Sequence, residues 1–233
     1  MGPADAAGGQ ARQIGLFFAV AVAPQPAPGT GLEIDGGRFF AHCIGRSLTS
    51  ARIHIVCPHQ YRALRLVMQE LKPRGYRRPG LVMLRASDER VDRNWTAGFL
   101  VEQQALPVED RLDPLLMEAW DEQEFTAWLY RTKPDVVVTK FVEVQALVLR
   151  LGFRVPRDLG TVFLTCTEPG SELSGVYENP DDVGAAAVDY LTSMTHRNER
   201  GVPRVAQRIL IESSWIEGST VRPSAVAASS AGT

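Results

Sequence analysis

Few side chains in this 233-residue sequence stand where covalent chemistry could be done. The densest group is "HIVCPHQ", in which His54 and His59 flank Cys57. A thiolate nucleophile needs a base within hydrogen-bond reach and a third group to orient that base. His59 follows Cys57 across Pro58, a step that can turn the two side chains apart. Cys57 therefore reads as a small buried hydrophobe, and His59 as a helix-start residue or a ligand contact. Asp181 and Asp182 form an acidic pair, but they open a helix, where negative charge complements the helix dipole. "GTGLEI" at residues 29–34 begins like a dinucleotide fingerprint, yet it lacks the third Gly and sits in a Pro-rich loop. G-x-S-x-G, phosphate-loop, H-E-x-x-H and C-x-x-C patterns are missing from the sequence. The residues make no case for an enzyme, and no metal or cofactor is expected.

Composition narrows the class. Hydrophobic residues are 45% and charged residues 22%, as in ordinary globular domains. The formal net charge is -2, and the sequence pI of about 6.1 lacks the basic excess of a module that binds nucleic acid by itself. Three scattered cysteines, Cys43, Cys57 and Cys166, neither staple a disulfide framework nor space a zinc site; they fit a reducing cytoplasm.

The elements that would position a site alternate along the chain. "IHIVC" (53–57) and "GLVML" (80–84) read as buried strands, with a helix between them carrying Leu64, Val67, Met68 and Leu71 at i, i+3, i+4 and i+7. Pro73 and Gly75 end that helix. Ser87 and Asp88 can cap a helix whose apolar side is Val91, Trp95, Phe99 and Leu100. A short strand is expected at Ala105–Val108, and a helix capped by Asp121 buries Phe125, Trp128 and Leu129. "DVVVT" (135–139) is a buried strand, Val144–Leu151 a helix and Thr161–Thr165 a strand after an exposed turn at Pro156–Asp158. Asn179 caps a long helix with Pro180 in its first position and Gly201 closing it. Arg208–Ile211 is a last strand, and Glu217-Gly218 a turn. Strand and helix in alternation with short joins predict an α/β fold, a parallel sheet with helices on both faces. Ligands of such sheets bind at the carboxyl ends of the strands.

Residues 1–13 read as a disordered leader, 24–37 as loop and 222–233 as a disordered tail. "IGLFFAVAVAP" (14–24) reads two ways: a buried strand at 16–23, or a signal peptide cut after Ala21-Val22-Ala23. Asp5 offsets Arg12, and Pro24 follows the cleavage point, which favours the strand.

The order of "PHQYRALRLVMQELKPRGYRRPGLVM", "RNWTAGF", "KPDVVVT", "GFRVPRDLGTVFL", "ENPDDVGAAAVDYL" and "RILIESSWIEGSTVRP" resembles the effector-sensing domain of the lactose-repressor/galactose-repressor (LacI/GalR) family, across roughly residues 53–223. The resemblance implies a two-lobed, periplasmic-binding-protein-like fold joined by crossovers. Residues 14–57 and 177–221 would form an incomplete N-terminal lobe and 58–176 the C-terminal lobe. A small effector, a sugar or sugar-like molecule, would lie in the interlobe cleft. It also implies a cytoplasmic homodimer that meets DNA only through a helix-turn-helix. This chain is expected to lack that module and the opening units of the first lobe.

Matched position by position, the resemblance assigns ligand contacts to Trp95, to Lys140 and Phe141 after the central strand, to Thr165 or Cys166 after the next, and to Glu178 on the last crossover. Cys57 and His59, where the first crossover begins, join them. Trp95 stands where many members carry Arg, Lys140-Phe141 where they carry Asn-Asp, and Thr165 or Cys166 where they carry Asp. The function implied is carbohydrate sensing for a transcription regulator. The alternative is a periplasmic sugar-binding protein of a transport system, which requires 14–23 to be a signal peptide.

Overall fold

A computed structural model describes residues 53–166 and 168–224, together with the backbone of two short strands, Ala19–Val20 (β1) and His42–Ile44 (β2); of Cys166 the backbone alone is described. The expected leader, the 24–37 loop and the tail from 225 onward lie outside the described residues.

Two sheets organise the chain. The smaller joins β1 and β2 to β3 (His54–Pro58) and β9 (Arg208–Ile211), all parallel, in the order β1-β2-β3-β9. The larger has the order β10-β8-β7-β6-β4-β5. Its members are β4 (Pro79–Leu84), β5 (Leu115–Met117), β6 (Val136–Thr139), β7 (Gly160–Cys166), β8 (Gly175–Tyr177) and β10 (Ser214–Ile216). Only the β10 pairing is antiparallel. The α/β parallel architecture expected from the sequence is thus present. Of the stretch 177–221 assigned to the first lobe, β10 instead hydrogen-bonds to the larger sheet.

Helices cover both faces of that larger sheet, which is why its strands read as unbroken apolar runs. Strand residues alternate between faces. Leu81, Met83, Val136, Val138, Val162, Leu164 and Val176 pack with α1 (Gln60–Leu71) and α3 (Asn94–Gln103) through Leu64, Val67, Trp95 and Phe99. Val82 and Val137 face the other way, toward Phe125, Trp128 and Leu147 of α4 (Glu122–Thr132) and α5 (Glu143–Arg150). Gly98 lets α3 lie close on α1: a Cβ there would stand 3.0 Å from the Tyr61 carbonyl oxygen. On the smaller sheet, Val183 and Ala187 of α6 (Pro180–His196) pack on Val56.

Several local expectations change. The helix foreseen from Asp88 is two: α2 (Arg85–Glu89) and α3, separated by a turn in which Asp92 and Arg93 take left-handed φ of 55° and 58°. Buried Asp88 still caps, but at a distance, accepting from the Thr96 amide at 3.2 Å and its hydroxyl at 2.5 Å. The strand expected at 105–108 is a turn leading to a short 3-10 segment, Val108–Asp110. The carbonyls of Gln104 and Leu106 there accept from the Arg111 guanidinium rather than from a strand.

Asn179 is left-handed and makes no side-chain cap; its amide donates instead to the Glu212 carbonyl at 2.9 Å and to Ser214 Oγ at 3.0 Å. Helix α6 closes before Gly201. Left-handed Asn198 ends it, and the Glu199 amide returns to the Met194 carbonyl at 2.9 Å. Arg222, expected in the tail, is tied down: its amide donates to the Tyr76 hydroxyl at 3.0 Å, and its guanidinium lies 4.4 Å from that ring's centroid. Asp121 caps α4 as expected, accepting from the Gln123 and Glu124 amides at 2.7 and 3.1 Å.

Replacing Asp88 by Ala removes the remote cap and leaves the Thr96 amide without its acceptor. The expected loss is about 1–2 kcal/mol, seen as a melting midpoint lower by roughly 3–8 °C. An unchanged midpoint in circular dichroism would show that the contact contributes nothing.

Candidate functional site

The carboxyl edge of the larger sheet gathers part of the expected set. Alternation along β6 sends Val136 and Val138 to the α1/α3 face; continued beyond Thr139, it sends Lys140 to that face and Phe141 to the other. The structure agrees. Lys140 Nζ lies 5.6 Å from the centroid of the Trp95 ring, whereas Phe141 packs 4.7 Å from Trp120, beside Phe125. Thr139 Oγ1 accepts the Phe141 amide at 3.0 Å and fixes the turn off the strand. The same parity along β8 sets Glu178 on the side of Val176, again the α1/α3 face.

Lys140 and Glu178 are half-buried and electrostatically coupled. Burial holds the Lys140 ammonium below its ordinary range; the Glu178 carboxylate acts against that shift, and the like charge of Arg90 adds to it. Burial likewise raises the Glu178 carboxyl, with Lys140 and Arg90 both pulling it back. Desolvation thus outweighs attraction at both groups. Such strain is common where a protein holds charge ready for a ligand.

Trp95 is 1% exposed and belongs to the core. It offers no open face for stacking and supports Lys140 from beneath. Phe141 is in the opposite layer. Thr165 is exposed near the end of β7, and the Cys166 side chain lies outside the described residues.

Cys57 is fully buried in β3, opposite Leu210. His59 starts α1: its amide donates to the Ile211 carbonyl at 2.8 Å, and its ring lies 6.3 Å from Tyr61. Cys57 therefore belongs to the smaller sheet and His59 to the crossover, rather than to the Lys140 group. Arg90 was missed from sequence, because it follows α2 in a turn that the pattern reads as continuous helix. Among the described residues no group of three or more His, Cys, Asp and Glu could hold a metal, and no helix is long and apolar enough to cross a membrane.

Three solved structures define the architecture. A transcription regulator-like protein from Staphylococcus haemolyticus shares 17% identity at a TM-score of 0.58, covering 77% of this chain and 65% of its own. A LacI transcriptional regulator from a Rhodococcus species shares 18% at 0.62, covering 80% and 71%. The fold is that of LacI-type effector domains. A LacI family regulator from Enterococcus faecium, solved with bound ribose, shares 16% at 0.57, covering 80% and 72%. Against the Staphylococcus protein the chain spans less than two thirds of the neighbour's length. No family model and no curated protein matches the sequence. Lys140 and Glu178 stand where strands of the larger sheet end, just after β6 and β8.

Because the Glu178 carboxyl is raised on folding, the folded chain holds its proton at pH values where the unfolded chain, near the ordinary 4.5, has lost it. Stability therefore falls as pH rises from the unfolded value through the folded one, and nothing is lost below the unfolded value. Glu178→Gln is expected to stabilise the protein in urea melts at pH 7, with the gain vanishing below pH 4.5. Equal gains at both pH values would assign the effect to something other than the carboxylate's charge.

Proposed function

We propose that this chain is the effector-sensing domain of a LacI/GalR-type transcriptional regulator and takes a small carbohydrate between its two sheets. One observation carries the reading. Lys140 and Glu178 are brought to a single face of the larger sheet's carboxyl edge and kept half-buried there against the cost of desolvation. Hydrogen bonds to charged groups are among the stronger polar contacts, and sugar hydroxyls both donate and accept. The ribose bound by the Enterococcus protein supports a ligand of monosaccharide size.

The lobes of this proposal are the smaller sheet with α6 and the larger sheet with its five helices. They are linked by the crossovers at His59, Asn179 and Glu212. Effector binding changes operator affinity only by as much as the ligand prefers one arrangement of lobes to another. On this reading the regulator is a cytoplasmic homodimer that meets DNA through a helix-turn-helix module rather than through the effector domain.

A melt followed by tryptophan fluorescence, with a panel of neutral sugars and sugar acids, tests the proposal. A sugar at about 100 times its dissociation constant adds about 2.7 kcal/mol, or roughly 5–10 °C in midpoint for a chain of this size. Lys140→Ala and Glu178→Ala are expected to abolish the shift while each chain still melts cooperatively. A panel in which no sugar moves the midpoint would refute the sensing role.

A further inference from the structure

The group at the carboxyl edge holds more positive charge than a neutral sugar can use. Arg90 follows α2, which begins where β4 ends, and Lys140 follows β6, the strand paired with β4; both cations are half-buried at that edge, and Glu178, just after β8, is the carboxylate whose charge acts on Lys140 there. Among the described residues neither cation makes a side-chain hydrogen bond or a salt bridge; the ammonium rests on the Trp95 ring at 5.6 Å. Neighbouring arginines are treated differently. Arg85 pairs with Glu118 at 2.7 Å, Arg93 with Glu89 at 3.3 Å and Arg208 with Asp92 at 2.8 Å. Charge withdrawn from water is normally paired or hydrogen-bonded, and here two cations share one carboxylate.

Resting on the sensing role just proposed, we infer that the effector is an acidic sugar, a sugar carboxylate or sugar phosphate, whose anionic group sits between Lys140 and Arg90 while Glu178 accepts from hydroxyls. An anion relieves the repulsion between the two cations and receives charge-assisted bonds from both. The guanidinium fork suits the paired oxygens of carboxylate or phosphate, and the ammonium supplies a compact point charge. Trp95 has a positioning role. Locked in the core, it holds the ammonium at the strand end by cation–π attraction.

Titration calorimetry on the full chain compares ribose and xylose with galacturonate, gluconate and ribose 5-phosphate. At least one acid is expected to bind about 10- to 100-fold tighter than the neutral sugars, more weakly as salt is raised. The carboxylate and phosphate arms show which anion is preferred. Lys140→Met and Arg90→Gln, each checked for a cooperative melt, should bring the acid down to the neutral sugars' affinity. With two variants the test survives if one fails to fold. Ribose or xylose binding as tightly as every acid would overturn this inference and leave the sensing role standing. So would an acid whose binding neither variant weakens. If none of the five sugars binds, the sensing role fails and this inference with it.

Discussion

Direction is the property on which this molecule depends. Each parallel strand of the larger sheet runs the same way, so the residues just after β4, β6, β7 and β8 come to one edge, whatever their separation in sequence. Parallel pairing needs a crossover between successive strands. From β4 to β7 those crossovers are helices, α2 and α3 before β5, α4 before β6 and α5 before β7, and they help to bury both faces, so core and site follow from one decision. Val136, Val137 and Val138 show it in miniature: three valines, alternately assigned to two helical layers and all fully buried. The next residues inherit the alternation. Lys140 arrives beside Trp95 because Val138 does, and Phe141 departs toward Trp120 because Val137 does.

The same packing determines what the site costs. A lysine that rests on an indole in the core cannot keep a full hydration shell, and a carboxylate next to it only partly compensates. The fold supports that cost elsewhere with polar contacts made by buried or half-buried side chains. His54, buried in the smaller sheet, accepts the Gln207 amide at Nδ1 at 3.1 Å, which makes Nε2 the donor to Glu199 at 3.0 Å. Asp135 accepts the amides of Arg77 and Arg78 at 2.7 and 2.9 Å and fixes the approach to β4. Buried Arg74 binds Glu70 and Glu217, with its Cζ 5.1 Å from the centroid of the Trp215 ring, and so ties the end of α1 to β10. Stability is gathered away from the strand ends and given up at them.

What could be read from the sequence was whatever burial on two faces writes as a long apolar run. "DVVVT" and "GLVML" were plain for that reason, and so were helices such as α4 with a side-chain cap and a repeating apolar side. The three-residue strands β5, β8 and β10 were not, since three residues establish no period and two of these strands open on Gly or Ser. Helix boundaries set by distant partners were equally hidden. Asn179 has the residue type of a cap, but its amide is drawn to Glu212 and Ser214, 33 and 35 residues away. Of the candidate site, the positions Lys140 and Glu178 came from the family resemblance. Trp95 was legible as a residue but not as a buried one. Arg90 was concealed by a helix break that only the fold reveals.

The crossovers give the proposed site its leverage. Three segments pass between the sheets, after Pro58, after Tyr177 and after Ile211, and they are bonded to one another. The His59 amide meets the Ile211 carbonyl at 2.8 Å, Asn179 meets Glu212 and Ser214, and Arg62 pairs with Glu212 at 2.8 Å. Glu178 immediately precedes Asn179. On the proposed reading, a ligand that draws on the Glu178 carboxylate acts at the first bond of this lattice, where a small displacement is shared by all three connections. A contact at Phe141 or Cys57 would have no such reach, because each is held in a packed layer that resists local movement. On that reading the residue that meets the ligand is also the one placed to report binding.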